Sequence, residues 1–232
     1  MEEILEETVL SNDGTTIGYK VTGVGPGLLI IHGGFRAAKH YVKLGKALSG
    51  DFTVYIMDRR GRGQSGPQGN QYSMGKEVED ARAIIDKHHI EFVFGHSYGG
   101  LVGLNLSVVT PLKKLALFEP GISANNNMPL KWFPKFEKQL DRQDYTGAMI
   151  SLIKGLGMGG VMNYLPDFFL KFVFSILSKQ NKDWETDKML LYPFKNEVNI
   201  GIIQDGKIDN HKEVNIPVLL LGGSKSPKMV IG

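Results

Sequence analysis

Hydrophobic positions along the chain follow two alternating periods. Short, nearly uninterrupted apolar runs recur at Leu28-Leu29-Ile30-Ile31, Phe52-Thr53-Val54-Tyr55-Ile56-Met57, Glu91-Phe92-Val93-Phe94, Leu115-Ala116-Leu117-Phe118 and Ile216-Pro217-Val218-Leu219-Leu220-Leu221. Runs of this length, rich in β-branched and aromatic side chains, read as strands: the first three as buried ones, Leu28–Ile31 on both faces as in a parallel sheet, and the other two as the strands that follow. Between them lie longer segments of helical period. Tyr41 to Leu48 is one. A second begins after Ser73 as N-cap and runs to about His88, with Val78, Ala81, Ile84 and Ile85 on one face. A third, Leu101 to Val109, stops before Pro111. Ahead of all of them, Glu7–Leu10 and Thr16–Val21 read as two strands joined at Ser11-Asn12-Asp13-Gly14, where Asp-Gly is a hairpin signal. Strand and helix in alternation predict an α/β fold, a mostly parallel central sheet with helices on both faces.

The alternation lapses between about residues 121 and 205. Helical segments are expected there near Leu130–Asp141, Tyr145–Gly155, Pro166–Ser178 and Thr186–Lys195. The region holds twelve of the chain's twenty-two aromatic residues, among them Trp132, Phe133, Phe136, Phe168, Phe169, Phe172 and Trp184. That density predicts an apolar ceiling over a site, in addition to a local core. Gly155-Leu156-Gly157-Met158-Gly159-Gly160 reads as a hinge, since no buried strand precedes it to make a nucleotide loop. The chain therefore divides into a first core part (1–120), an insertion (121–205) and a last core strand (206–232).

Gly95-His96-Ser97-Tyr98-Gly99-Gly100 lies between a predicted strand and a predicted helix. Gly-x-Ser-x-Gly in that setting is a nucleophile elbow, which lifts the serine hydroxyl above the sheet at a helix N-terminus. Ser97 is the candidate nucleophile. His32-Gly33-Gly34-Phe35, after the first buried run, can supply one oxyanion-hole amide, and the residue after the nucleophile the other; this assigns the Gly34 and Tyr98 N–H groups. His32 reads as a buried structural imidazole. Asp58-Arg59-Arg60-Gly61-Arg62-Gly63-Gln64-Ser65-Gly66 matches no phosphate-binding loop and reads as a turn held by Asp58 and arginine hydrogen bonds. His88-His89 reads as a surface pair at a helix C-terminus, with no third ligand for a metal.

Composition narrows the field. The 232 residues carry a net charge of only +3 and no basic tract, which argues against nucleic acid as a partner. There is no cysteine, hence no disulfide framework or thiolate site. No apolar stretch approaches the ~20 residues of a membrane span, and the acidic start lacks a signal-peptide pattern, so a cytoplasmic protein is expected. No cofactor is expected.

Taken in order, His32-Gly33-Gly34, the Asp58–Ser65 turn and Gly95–Gly99 resemble the α/β-hydrolase fold superfamily. The likeness covers roughly residues 7–120 and resumes at 216–227. It implies that 121–205 is a helical cap. It also implies a serine hydrolase for a small, apolar ester or related acyl substrate, because relatives with dehalogenase or epoxide-hydrolase chemistry use an aspartate where Ser97 stands. In the family the triad acid follows the last predicted strand in a Gly-x-x-Asp setting, and Ser226 occupies that place here. Glu119, at the end of the preceding strand, is the substitute candidate, alongside a plain role in turning the chain. The family's catalytic histidine follows one more strand, and none of His32, His40, His88, His89, His96 and His211 does so. The part carrying that histidine, with the last strand and helix, is thus expected to be missing, which leaves Val218–Leu221 as a sheet edge open to self-association. An impaired hydrolase-fold protein that binds an apolar ligand or a protein partner is the alternative.

Overall fold

In a computed structural model, residues 3–122, 130–180, 182–204 and 211–224 are described. Seven strands form one sheet: β1 (Leu5–Leu10), β2 (Thr16–Thr22), β3 (Gly27–Ile31), β4 (Thr53–Met57), β5 (Phe92–His96), β6 (Lys114–Phe118) and β7 (Val218–Leu221). Their spatial order is β1-β2-β4-β3-β5-β6-β7. The β1–β2 hairpin and the β2–β4 pair are antiparallel, and every pair from β4 to β7 is parallel.

Alternate residues of the central strands feed two cores. Leu29, Ile31, Tyr55, Met57, Val93, Leu115 and Leu117 pack with α2 (Met74–His88) and α3 (Tyr98–Val109). Ile30, Val54 and Ile56 face the other way, with Ala38 and Tyr41 from the 3-10 turn that precedes α1 (Val42–Leu48). This is the two-faced burial that the continuous apolar run Leu28–Ile31 predicts. The Ser73 hydroxyl caps α2 by accepting from Lys76 N–H, and Ala81, Ile84 and Ile85 are buried as the periodicity requires.

Residues 130–204 add α4 (Phe133–Asp141), α5 (Tyr145–Gly155), α6 (Asp167–Gln180), α7 (Trp184–Met189) and α8 (Leu191–Gln204). They enclose a third core of Phe133, Phe136, Leu140, Met149, Leu152, Leu191 and Phe194. Two expectations are corrected here. The segment Thr186–Lys195 is not one helix: α7 ends at Met189 and α8 starts at Leu191. Pro193 is tolerated in the first turn of α8, where its missing N–H costs no intrahelical bond. Phe168 and Phe172 of α6 face outward, 77% and 64% exposed, and so do not join the expected ceiling. Phe194 of α8 packs its ring edge-to-face against Phe35 at 6.5 Å.

No described helix is long and apolar enough to cross a membrane. All four residues of β7 are exposed, and among the described residues its outer edge pairs with no strand.

Candidate active site

Three non-glycine residues with left-handed backbones lie in the loops leaving three adjacent strands. Phe35 follows β3 with φ 52°, Ser97 follows β5 with φ 50°, and Glu119 follows β6 with φ 47°. Such conformations cost of order 1–3 kcal/mol each and persist only where the surroundings enforce them. They stand at the carboxyl ends of parallel strands, where open α/β sheets bind ligands.

Ser97 is the tightest of the three. Its backbone sits at φ 50°, ψ −120° at the N-terminus of α3, and its side chain caps nothing. The turn is fixed from every side. Ser97 N–H donates to Phe118 O at 3.0 Å, and Ser97 O accepts from Gly100, Leu101 and Gly121 N–H. Glycine is required on both flanks: a Cβ on Gly99 would lie 2.2 Å from Ile31 O, and one on Gly95 2.6 Å from Gly99 O.

The β3 loop closes on this turn. A Cβ on Gly33 would lie 3.1 Å from Ser97 Cβ. The N–H groups of Gly34 and Tyr98 donate to no group among the described residues. Two unengaged donors thus stand on the two segments that meet at Ser97. The Tyr98 side chain faces inward: Arg59 lies over its ring at 4.6 Å and Tyr72 Oη donates to its Oη at 3.3 Å. Burial pushes the Tyr98 phenol well up, with Glu77 adding to the shift, so it stays neutral.

His32 is structural, as the sequence suggests. It is fully buried, Arg59 N–H donates to its Nε2 at 3.2 Å, and its Nδ1 lies 2.9 Å from Gly33 O. Nε2 is therefore the acceptor, and Nδ1–H donates. Burial, reinforced by Arg62 and Arg59, holds its pKa well below the usual imidazole value. His96 lies against the Phe118 ring and shares a hydrogen bond with Tyr41 Oη at Nδ1. Burial lowers its pKa, opposed by the nearby charge of Glu119. No histidine ring hydrogen-bonds the Ser97 hydroxyl among the described residues.

Glu119 ties β6 to the loop after β7. Its N–H donates to Leu221 O and its Oε1 accepts from Gly223 N–H, both at 2.9 Å. Ser226 lies outside the described residues.

The arginine-rich turn holds more than itself. Asp58 accepts from Ala38 N–H at 2.8 Å, and Arg62 donates to Arg60 O at 3.1 Å, as expected of a structural turn. Arg59, however, forms a two-point ion pair with Glu77 of α2 at 2.7 and 2.9 Å and a third bond to Glu197 of α8 at 2.8 Å. Arg62 also donates to Glu197 Oε1. Burial alone would raise the Glu77 carboxyl, but Arg59 outweighs it and keeps Glu77 ionised. Arg60 pairs with Asp80. Sequence reasoning missed these partners, although a signal existed: Glu77 and Asp80 fall on the apolar face of α2. His88 differs from expectation too. It is half-buried, and its Nε2 bonds Tyr19 Oη at 2.8 Å while its ring lies 4.5 Å from that of Tyr55.

Phe35 opens onto a cavity of about 300 Å³ lined by Met149, Ile153, Phe174 and Trp184. It lies between the β3 loop and the helical segment and is largely apolar.

The family model for the alpha/beta hydrolase fold matches residues 26–231. The chain is 33% identical over 102 residues to an uncharacterized hydrolase, YraK, of Bacillus subtilis, covering 42% of this chain and 38% of that one. It is 34% identical over 100 residues to a 3-hydroxybutyrate-oligomer hydrolase of Cupriavidus necator, covering 40% of this chain and 34% of that one. The matches thus span between about a third and two fifths of these relatives' lengths. Among solved structures, an alpha/beta hydrolase from Sphaerobacter thermophilus superposes with a TM-score of 0.79 at 25% identity, over 97% of this chain and 85% of that one. With the strained serine turn, the two-faced parallel sheet and a family match over most of its length, the chain belongs to the alpha/beta hydrolase fold family.

Proposed function

We propose that this protein is a serine hydrolase for small ester or related acyl compounds. Ser97 Oγ attacks the acyl carbon and forms the acyl–enzyme bond as the ester C–O bond breaks and the serine proton passes to the departing alkoxide; water then cleaves the acyl–enzyme bond to give the acid and restore the serine hydroxyl. The Gly34 and Tyr98 N–H groups receive the carbonyl oxygen as it becomes an oxyanion, assisted by the N-terminus of α3. Glu119 is the acid that would orient a histidine base, being set where the β6 and β7 loops meet. Residues 121–205 act as a cap, and the cavity behind Phe35 takes the apolar part of the substrate. An ester relative, the 3-hydroxybutyrate-oligomer hydrolase, agrees with acyl chemistry.

The observation that carries this reading is the left-handed Ser97 between two glycines that admit no side chain. Treatment with a fluorophosphonate probe tests it: Ser97 is expected to be labelled, and Ser97→Ala to abolish labelling. Labelling that persists in the alanine variant would overturn the assignment.

A second reading, an impaired member that binds an apolar ligand under the cap, draws on the histidines. The rings of His32, His88 and His96 are engaged away from Ser97. Under this reading the apolar cavity binds a ligand while the wild type resists the probe.

A further inference from the structure

The parallel register of β3 with β5 ends at the pair Ile31–Gly95, and the loops that carry the Gly34 and Tyr98 amides begin just past it. The Tyr41 hydroxyl lies where those two loops part. Gly33 N–H donates to its Oη at 3.4 Å, and His96 Nδ1 hydrogen-bonds the same oxygen from the other loop. Gly33 immediately precedes the Gly34 donor, and His96 immediately precedes Ser97. The phenol ring is itself fixed. It is 9% exposed, packs with Ile30, Val54 and Ile56, and lies 6.3 Å from the His32 ring and 6.0 Å from that of His96. The 3-10 turn that presents it is anchored by Ala38 N–H, which donates to Asp58 Oδ1 at 2.8 Å. Burial holds the phenol above its usual pKa, so it stays neutral and keeps its proton. A neutral hydroxyl offers one proton and two lone pairs, enough for both partners at once.

We infer that Tyr41 is a positioning residue, whose hydroxyl fixes the distance between the two oxyanion-hole amides by bonding the β3 loop and the serine turn together. The inference rests on the serine-hydrolase reading, since it takes the Gly34 and Tyr98 N–H groups as the seat of the carbonyl oxygen. Each loop also has an anchorage of its own, on opposite sides. The serine turn is tied toward β6 through Phe118 O and Gly121 N–H, and the β3 loop toward the turn after β4 through His32 and Arg59. Tyr41 bonds the one to the other. The spacing matters because donors aimed at a developing charge act through position, and a misplacement of ~1 Å can cost on the order of 10²-fold in rate. The oxygen gains its charge only as the serine adds, so the effect falls on the reaction step and not on binding.

Inactivation of the whole chain by a fluorophosphonate separates the two. The maximal rate, kinact, reports the reaction at Ser97, and the half-saturating concentration, KI, reports the binding that precedes it. Tyr41→Phe keeps the ring and removes only the hydroxyl. It is expected to lower kinact about tenfold, less than the roughly 10²–10³-fold that follows loss of a whole oxyanion donor, and to leave KI unchanged. His96→Leu cuts the same link from its other end and is expected to lower kinact likewise; it decides the matter if Tyr41→Phe does not fold. Ile56→Val, in the core around the ring, shortens a side chain of β4 rather than of either loop, and is expected to keep the wild-type kinact. An unchanged kinact in Tyr41→Phe, or in His96→Leu where only that variant folds, overturns the inference alone. A change in KI without one in kinact does so too, as does a fall in Ile56→Val as large as in Tyr41→Phe. Failure of the wild type to be labelled overturns it together with the assignment of Ser97.

Discussion

Glu197 Oε1 stands 2.8 Å from Arg59 Nη2, joining α8 to the turn after β4 across 138 positions of sequence. Arg59 is at the same time held by Glu77, so one fully buried guanidinium bridges two buried carboxylates from two different elements, and Arg62 supplies the second positive charge at Glu197. Burial works against the charged forms of Arg59 and Glu77, and each offsets that cost for the other. The helical segment and the sheet are in this way tied together at a point directly behind the Tyr98 ring.

Arg59→Met is therefore expected to be severely destabilising. It leaves Glu77 without its main partner and Glu197 with Arg62 alone, and breaking a buried ion pair from one side costs about 3–5 kcal/mol. Urea denaturation measures this directly. A loss below about 1 kcal/mol would mean that the cluster is hydrated in solution and does not bind α8 to the sheet.

Ser97→Gly separates strain from chemistry. At φ 50° and ψ −120° a glycine is at ease where serine is not. Relief of that strain, less the greater entropy of glycine in the unfolded chain, is expected to raise stability by about 1 kcal/mol over the wild type. Ser97→Ala keeps the strain and gains nothing comparable. Both variants lose probe labelling. Thermal unfolding of the three proteins side by side decides the point, and a glycine variant no more stable than the alanine variant would show that the turn is not strained.

The fold was largely legible because its determinants are local. The runs Leu28–Ile31 and Leu115–Phe118 announce strands by composition alone, and Ser73 announces the start of α2. The elbow was legible because the close approach of Gly99 to Ile31 O leaves glycine as the only residue that fits. What stayed hidden depends on contacts between distant residues. Nothing near Glu197 in the sequence indicates that it meets Arg59 and Arg62. The exposure of Phe168 and Phe172 is equally invisible, because a helical period shows that an apolar face exists, not whether another element covers it. Glu77 lies between these cases: a carboxylate on the buried face of α2 signals a cationic partner without naming it.

His32 makes stability depend on pH near neutrality. Its folded pKa lies well below the ordinary value of about 6.5, so the native state excludes a proton that the unfolded chain binds. The contribution is complete above pH ~6.5 and is lost progressively as the pH falls below it, by at most about 1.4 kcal/mol per pH unit for one such group. Urea midpoints are expected to drop between about pH 7 and pH 5.5, before the carboxylates titrate appreciably. His32→Gln is expected to be less stable at pH 7 yet to show a shallower decline over that interval. An equally steep decline in the variant would assign the effect to the other histidines.

The exposed face of β7 predicts self-association. Val218, Leu219, Leu220 and Leu221 are between 39% and 68% exposed, at the end of a sheet whose central strands β3, β4 and β5 are largely buried. An uncharged, apolar edge strand offers unpaired N–H and C=O groups together with hydrophobic side chains, and both favour pairing with a second copy. Sedimentation velocity of the 232-residue chain is expected to show a weight-average mass that rises with concentration. Leu220→Lys, at the most exposed of the four positions, places a charge where pairing would bury it and is expected to restore the monomer. A wild-type chain that stays monomeric across the concentration range, and that Leu220→Lys leaves unchanged, would show that β7 does not mediate association.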